Sequence, residues 1–337
     1  MSDSSSFPSR PHKLHVLTSL RFFAALCIVA LHAGDHGLLP MHYVQIFDLS
    51  KGVTFFFVLS GFVLGYTYNG RTINAWRFLQ ARFARIWPVT ILSIFFVLLI
   101  LPKLIYLPSA SGGWSVGSVF LLNLLCLQAF FPVPDVFFSF NAVAWSISVE
   151  VFFYFCFPLI HHLKTSTLLL ITIFHSLLVL ILAYFLSFSS LVGFSSESLN
   201  IPVWQGLVYI NPIARLPEFL MGVLLARFFL SEKFASIKYF YDKAKLKCWF
   251  LVDVLEIFSF IFALWFGFRN FSFSLPLTAQ VALDQMVSGL SFCVLILTST
   301  ISSGWFYMLF KWKPLLLLGV VSFGLYLFHQ PIMIRSA

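Results

Sequence analysis

Two ionisable side chains lie within the first long apolar block of the sequence. Arg21 and His32 are eleven residues apart, and the residues between them, FFAALCIVAL, are all apolar. On an α-helix that separation is three turns plus about 20°, so both side chains share one face, roughly 16 Å apart along the axis. A neutral imidazole can take a proton, and a guanidinium can stabilise negative charge. The pair predicts either a base in a polar cavity or an interfacial Arg and His at the two ends of a membrane span.

An acidic side chain, Glu150, interrupts another apolar block, WSISVEVFFY. Helical spacing puts Ser146 and Tyr154 one turn away on the same face. Burial disfavours a charged carboxylate unless a cation lies nearby, so His32 or an arginine is expected close to it. Glu150 is therefore either part of the chemistry or a hydrogen-bond anchor between helices.

An arginine-rich segment, WRFLQARFARIWP, precedes the third apolar block. Arg82 and Arg85 share a helical face in this segment, which ends at Pro88. Guanidinium groups bind phosphates bidentately, so this face could hold an anionic nucleotide such as coenzyme A. The alternative is a cytoplasmic loop that contacts lipid headgroups.

Other polar residues within apolar blocks have simpler interpretations. Arg215 and Glu218 are three residues apart and predict a structural ion pair within one helical turn. Asp284 and His329 stand alone and are expected to be satisfied core groups. The sequence contains no Walker A, GxGxxG, HExxH or GxSxG motif, so hydride transfer, ATP-driven transport and zinc hydrolysis receive no support.

The composition places all these residues in a membrane. Of 337 residues, 60% are hydrophobic and 10% charged, whereas a soluble domain carries about 25% charged residues. Each apolar block approaches the roughly 20 residues that a membrane-spanning helix needs, and the blocks lack the alternation of barrel strands. The sequence predicts an all-α polytopic membrane protein with about ten transmembrane helices around a polar cavity, at residues 16–33, 51–68, 86–107, 115–131, 143–160, 167–187, 213–230, 249–268, 281–301 and 314–334.

The distribution of charge predicts orientation and excludes nucleic acid as a partner. The net charge is +9, but the basic residues lie between apolar blocks, as in the cytoplasmic loops of membrane proteins. The polar tail 1–15 and the loop that carries Arg71 and Arg77 are therefore expected in the cytoplasm. The basic stretch 227–247 should also be cytoplasmic, yet ten spans put it outside. Either 115–131 does not cross, 201–212 re-enters the membrane, or the charge rule fails here.

The five cysteines form no CxxC pair, so the sequence signals neither a metal site nor a disulfide framework. A cleaved signal peptide is a rival interpretation of the first block. Nine further candidate spans and the polar residues of that block favour a retained helix.

Six segments in order resemble acyltransferase family three, a family of membrane O-acyltransferases. They are the Arg-x10-His spacing of Arg21 and His32, KGVTFFFVLSGFVLGY at 51–66, the RFxRIxP-like segment from Arg82 to Pro88, AWSISVEVFFYFCFPLI at 144–160, RLPEFLMGVLLA, and LLLLGVVSFGLYLFHQPI at 315–332. Each segment alone is weak, but their order covers nearly the whole chain. This sequence departs from the family at Thr54, where an acid is usual, and it ends soon after the last motif. No hydrolase-like domain follows, so a standalone member is expected.

The resemblance implies a transmembrane domain at 16–337 that moves an acyl group, with acetyl favoured, from acyl-CoA to a hydroxyl of a saccharide or other acceptor. Acyl-CoA would be a co-substrate, with no tightly bound cofactor and no metal. His32 would be the general base, and Glu150 would orient it or handle a second proton. Arg21 would stabilise developing negative charge or help to bind the donor, and Arg82 and Arg85 would hold its phosphates. The implied location is a bacterial inner membrane; the alternative is a transporter or flippase with a buried Arg/His/Glu path.

Overall fold

The computed structural model describes residues 14–40, 46–101, 114–190 and 201–336, and these residues are almost entirely helical. Their longer helices are α1 (His15–Asp35), α2 (Gly52–Tyr68), α3 (Ala75–Ile100), α4 (Val116–Leu124), α5 (Trp145–His161), α6 (Thr165–Leu186), α7 (Pro212–Phe229), α8 (Glu232–Phe268), α9 (Leu277–Ile301) and α10 (Lys313–Ser336). Shorter helical turns lie at Leu49–Lys51, Gln128–Phe130, Pro134–Phe137, Ala142–Ala144, Val203–Gln205, Gly206–Ile210 and Trp305–Phe310. The tail 1–13 lies outside the described residues.

Nine helices in the described part of the chain are long and apolar enough to cross a bilayer. Of the ten helices labelled above, α4 is the one that is too short. The predicted span at 115–131 contains only the nine residues of α4 and a short 3-10 turn. Between them Cys126 adopts a positive φ of 55°, a conformation that ends a helix. Nine residues rise about 14 Å, which is less than half the hydrocarbon thickness.

If the segment 115–131 does not cross the membrane, the basic segments all lie on one side of it. With nine crossings, the loop before α3 and the start of α8 fall on the same side as the N-terminus of α1. That side then holds the arginines of the α2–α3 region together with Lys233, Lys238, Lys243, Lys245 and Lys247. This asymmetry is the one expected of a cytoplasmic face. Of the three explanations offered for the basic stretch 227–247, the helices therefore support the first, that 115–131 does not cross the membrane.

The helices turn large apolar side chains outward, as lipid contact requires. Within α6, Leu170 is 67% exposed and Phe174 is 69% exposed, and α8 likewise exposes Phe250 and Phe258. Such a surface would be an aggregation site on a soluble protein of this size. In a bilayer it faces hydrocarbon, which agrees with a multi-pass integral membrane protein.

The centre of the bundle is a close crossing of α2 and α7. A Cβ at Gly61 would overlap the carbonyl oxygen of Phe219, and one at Gly222 would overlap that of Val58. Each glycine thus lets the backbone of the partner helix approach. A similar approach joins α1 and α10, where a Cβ at Gly319 would overlap the carbonyl oxygen of Thr18. These two crossings hold together the helices that carry Arg21, His32, Arg215 and His329.

Gly222→Ala should lower the free energy of unfolding by about 1–3 kcal/mol, because the obstructing atoms are backbone and cannot rotate away. Gly324→Ala is the matched control, since a Cβ added at this position of α10 would meet no neighbouring atom within 4 Å. Unfolding in mixed micelles measures both. Equal stability of the two variants would contradict the close crossing.

Candidate active site

Two cavities lie between the central helices, one toward each face of the bundle. The histidine cavity, about 730 Å³, lies among the C-terminal end of α1, the start of α2 and the end of α10, and contains His32. The arginine cavity, about 690 Å³, lies toward the cytoplasmic ends and contains Arg21, Arg82, Arg85 and Glu150. Val53 and Tyr326 line both cavities, so the two approach each other there.

One residue in the wall of the histidine cavity, His32, is hydrogen-bonded to a second imidazole behind it, that of His329. Nδ1 of His32 lies 2.8 Å from Nε2 of His329, with ring centroids 5.0 Å apart. On its other side, Nδ1 of His329 lies 2.7 Å from the carbonyl oxygen of Tyr326 and 3.2 Å from that of Leu325. His329 therefore connects His32 of α1 to the backbone of α10.

Pro331 helps to lock the backbone that carries His329. Proline has no N–H, so the carbonyl of Leu327 loses its partner within the helix. Nδ2 of Asn141 donates to that carbonyl at 2.9 Å and also to Oγ of Ser93 at 2.9 Å. The HQP sequence thus gives α10 a fixed attachment beside the imidazole pair.

The wall of the histidine cavity is rich in aromatic and acidic groups. Trp145, Trp204 and Tyr209 supply ring surfaces, and several amide side chains lie among them. The charged groups that line it are Asp35, Asp48, Lys51 and Asp284. Lys51 is nearly buried and pairs with Asp284 at 2.8 Å, so Asp284 is not the lone group that the sequence suggested. Because Lys51 and Asp284 offset each other's charge, Asp35 and Asp48 give this cavity a net negative charge.

The arginine cavity has the opposite charge. Arg21, Arg82 and Arg85 face one carboxylate, Glu150, and Arg21 forms no salt bridge within the described residues. The guanidinium of Arg82 packs over the rings of Tyr68 and Phe78, with centroid distances of 5.7 and 5.6 Å. Its Nε is buried and has no hydrogen-bond partner in the described part of the chain.

Glu150 lies on the arginine side and not against the imidazole pair. Its Oε1 accepts hydrogen bonds from Tyr154 Oη at 2.6 Å and from Ser60 Oγ at 3.3 Å. Tyr154 was expected on its helical face, whereas Ser146 pairs with Tyr326 instead, at 2.7 Å. The side chain hydrogen-bonded to His32 is that of His329, which the sequence offered only as a lone core group. Helical periodicity relates residues within one helix, so it gave no sign that α10 packs beside α1.

The predicted ion pair of Arg215 and Glu218 is confirmed, with Nε and Oε2 3.1 Å apart and both side chains buried. Thr54, at the position where the family usually has an acid, joins this pair. Arg215 donates to Thr54 Oγ1 at 2.9 Å, and Thr54 donates to Glu218 Oε1 at 3.3 Å. Thr54 of α2 therefore joins the two charged side chains of α7.

Nine apolar helices that enclose two cavities of opposite charge, all within the described residues, define a multi-pass membrane protein. Comparison with known families narrows this class. The acyltransferase domain of the third acyltransferase family matches residues 14–334, so the chain belongs to that family.

Two bacterial proteins are similar to parts of the chain. Acyltransferase MdmB of Streptomyces mycarofaciens is 33% identical over 164 residues, which are 46% of this chain and 41% of that protein. Protein 2 in the picA locus of Rhizobium radiobacter is 38% identical over 91 residues, 26% of this chain and 44% of that protein. The matched region spans less than half of each relative. No solved structure matches the chain significantly.

The buried ion pair gives a test of the packing around the site. Glu218→Gln should destabilise the protein by roughly 3 kcal/mol, because it leaves Arg215 buried without a counter-charge. Adding Arg215→Met should recover part of that loss. Asp242→Asn is the control, since its pair with Lys238 is about half exposed and should contribute less than about 1 kcal/mol. A double variant less stable than Glu218→Gln alone would contradict the pairing.

Proposed function

We propose that this protein transfers an acyl group, most simply acetyl, from acyl-CoA to a hydroxyl of a saccharide or similar polyhydroxyl acceptor. The observation that carries the proposal is the pair of oppositely charged cavities that approach each other at Val53 and Tyr326. Membership of an acyltransferase family supports the reaction class. A donor and an acceptor can then enter from opposite faces and meet inside the bundle.

The arginine cavity suits the phosphates of coenzyme A. Guanidinium groups bind phosphate oxygens through paired, charge-assisted hydrogen bonds. Within the described residues, Arg82 has an unpartnered buried Nε, donates from Nη2 to Tyr68 Oη at 3.3 Å and packs on two aromatic rings, so its guanidinium is held in place in the cavity wall. Arg21 and Arg85 add positive charge around the same space. Acyl-CoA is a co-substrate in this proposal, and no tightly bound cofactor is needed.

The histidine cavity suits an acceptor with many hydroxyls and no negative charge. Tryptophan and tyrosine rings pack against the apolar faces of sugars, while carboxylates accept hydrogen bonds from hydroxyls and amides both accept and donate them. Asp35 and Asp48 would repel phosphate or carboxylate groups on the acceptor. A neutral or cationic saccharide is therefore favoured over an anionic one.

The positions of His32, Arg21 and Glu150 support the following route for acyl transfer. His32 takes the proton of the acceptor hydroxyl while the oxygen attacks the carbonyl carbon of the thioester. The new C–O bond forms, the C–S bond breaks, and the departing thiolate takes up the proton from the imidazolium. Arg21 lies in the arginine cavity, where its guanidinium can stabilise negative charge on the donor. Glu150 lies with Tyr154 in the arginine cavity, so a role in passing the proton to the departing thiolate is favoured over the orientation of His32.

Both relatives come from bacteria, and this supports a place in a bacterial cell membrane. The orientation inferred from charge puts the arginine cavity on the cytoplasmic side, where acyl-CoA is made. The acceptor would then be modified on the opposite side. A transporter that uses the same buried groups is the alternative, and it should neither cleave acetyl-CoA nor lose its transport of solute when the donor is absent.

His32→Gln should lower kcat at least about a hundredfold, because glutamine keeps a hydrogen-bonding side chain but cannot act as a base at neutral pH. The assay is release of CoA thiol from acetyl-CoA by protein in liposomes, with a mixture of methyl hexopyranosides as acceptors. His175→Gln is the control, since His175 bonds a backbone carbonyl of α7 and lines neither cavity. Unchanged turnover in His32→Gln would rule out this base.

Arg82→Ala combined with Arg85→Ala should raise KM for acetyl-CoA by roughly tenfold or more, because each lost charged hydrogen bond contributes about 1.5–3 kcal/mol. KM for the acceptor should change little. Arg77→Ala is the matched control, an exposed arginine of the same helix that does not line the cavity. An equal rise in KM for both substrates would count against a donor site at these arginines.

A further inference from the structure

We infer that His329 is a positioning residue that fixes the tautomer of His32, leaving the Nε2 lone pair of His32 free to act as the base. Its role in catalysis rests on the proposed function. The tautomer itself follows from hydrogen bonds alone, which run from the backbone of α10 outward to the cavity.

His329 is anchored by its own helix. Its Nδ1 lies 2.7 Å from the carbonyl oxygen of Tyr326 and 3.2 Å from that of Leu325. Carbonyl oxygens only accept hydrogen bonds, so Nδ1 must carry the proton. A neutral imidazole has one N–H, and Nε2 of His329 is therefore left with a lone pair.

The contact between the two rings fixes the proton of His32. Nε2 of His329 and Nδ1 of His32 are 2.8 Å apart, which is hydrogen-bond distance. One nitrogen must donate, and Nε2 of His329 can only accept, so Nδ1 of His32 carries the proton. The rings are inclined by 25° with centroids 5.0 Å apart, so the two nitrogens meet nearly in the ring planes. The arrangement is an N–H···N bond rather than a face-to-face stack.

This tautomer leaves one ring nitrogen of His32 free to take a proton. With Nδ1 protonated, Nε2 of His32 has the lone pair, and His32 lines the histidine cavity where an acceptor hydroxyl would lie. When Nε2 takes a proton, the bond from Nδ1–H to His329 becomes charge-assisted and strengthens. The neutral imidazole of His329 thus takes the place that a carboxylate has in other base-orienting pairs. Within the described residues, no carboxylate is hydrogen-bonded to either ring.

The burial and the backbone contacts of His329 keep its own tautomer fixed. Its side chain is 5% exposed, so its tautomer is set by the protein and not by water. Its carbonyl partners belong to its own helix, where Asn141 fixes the backbone two residues away at Leu327. Gly319 lets α10 approach α1 closely, and this approach brings His329 to His32.

The test is the ¹⁵N spectrum of histidine-labelled protein in nanodiscs, with the His32 signals assigned by their loss in His32→Gln. The expected wild-type spectrum shows His32 protonated at Nδ1 and unprotonated at Nε2. His329→Gln should keep this tautomer, because a glutamine oxygen can accept where Nε2 did. His329→Met, of similar length, offers no such acceptor and should shift His32 toward protonation at Nε2.

Turnover of acetyl-CoA with methyl hexopyranosides provides the second readout. His329→Gln should stay within about tenfold of wild type, while His329→Met should lose roughly a hundredfold in kcat with an unchanged KM for acetyl-CoA. Wild-type His32 protonated at Nε2 would overturn the inference while leaving acyl transfer intact. Full activity of His329→Met would overturn it as well. A wild-type protein with the expected tautomer but no acyl transfer would instead overturn the proposed function, and with it the catalytic role of His329.

Discussion

The cost of an unpaired polar group inside a bilayer is the constraint on which this structure depends. With no water in the hydrocarbon region, each buried donor or acceptor must find a partner within the protein. Arg215 has Glu218 and Thr54, Lys51 has Asp284, and the guanidinium of Arg227 donates to the carbonyls of Leu163, Ile160 and His161. Apart from Glu218, which lies on the same helix as Arg215, these partners connect segments that are far apart in sequence, so pairing the polar groups also fixes the bundle.

Several buried polar atoms of the described residues lack a hydrogen-bond partner, and two incompletely paired arginines bear on the site. Nε of Arg82 is buried without a partner in the described residues, and Arg21 forms no salt bridge there. Both belong to the arginine cavity. At the other end of α1, His32 is hydrogen-bonded through Nδ1 to His329 and lines the histidine cavity. In the proposed mechanism, α1 thus carries a site for negative charge near one membrane face and a base near the other.

Much of this arrangement could be predicted from sequence because it depends on relations within one helix. The face shared by Arg21 and His32, the pair of Arg215 and Glu218, and the link between Glu150 and Tyr154 all follow from helical spacing. Relations between helices could not be read in that way. The sequence left open whether His32 or an arginine lies near Glu150, and the structure places arginines there, while His329 pairs with His32. It also left the partner of Asp284 unknown.

The predicted crossing at 115–131 fails for a related reason. Hydropathy measures composition over a window, and that segment is apolar enough to pass. It does not detect the backbone turn at Cys126, which ends α4 after nine residues. The basic stretch at the start of α8 was the signal that one span too many had been assigned, because the charge rule required it to be cytoplasmic.

The central claim is that donor and acceptor occupy separate cavities on opposite sides of the membrane. Single cysteines at Leu316→Cys in the arginine cavity and Gln280→Cys in the histidine cavity, on a background without the five native cysteines, would test it. A membrane-impermeant thiol reagent should label Leu316→Cys only from the cytoplasmic side and Gln280→Cys only from the other. Saturating CoA should slow the first reaction and leave the second unchanged. Protection of Gln280→Cys by CoA, or labelling of both cysteines from one side, would contradict the account.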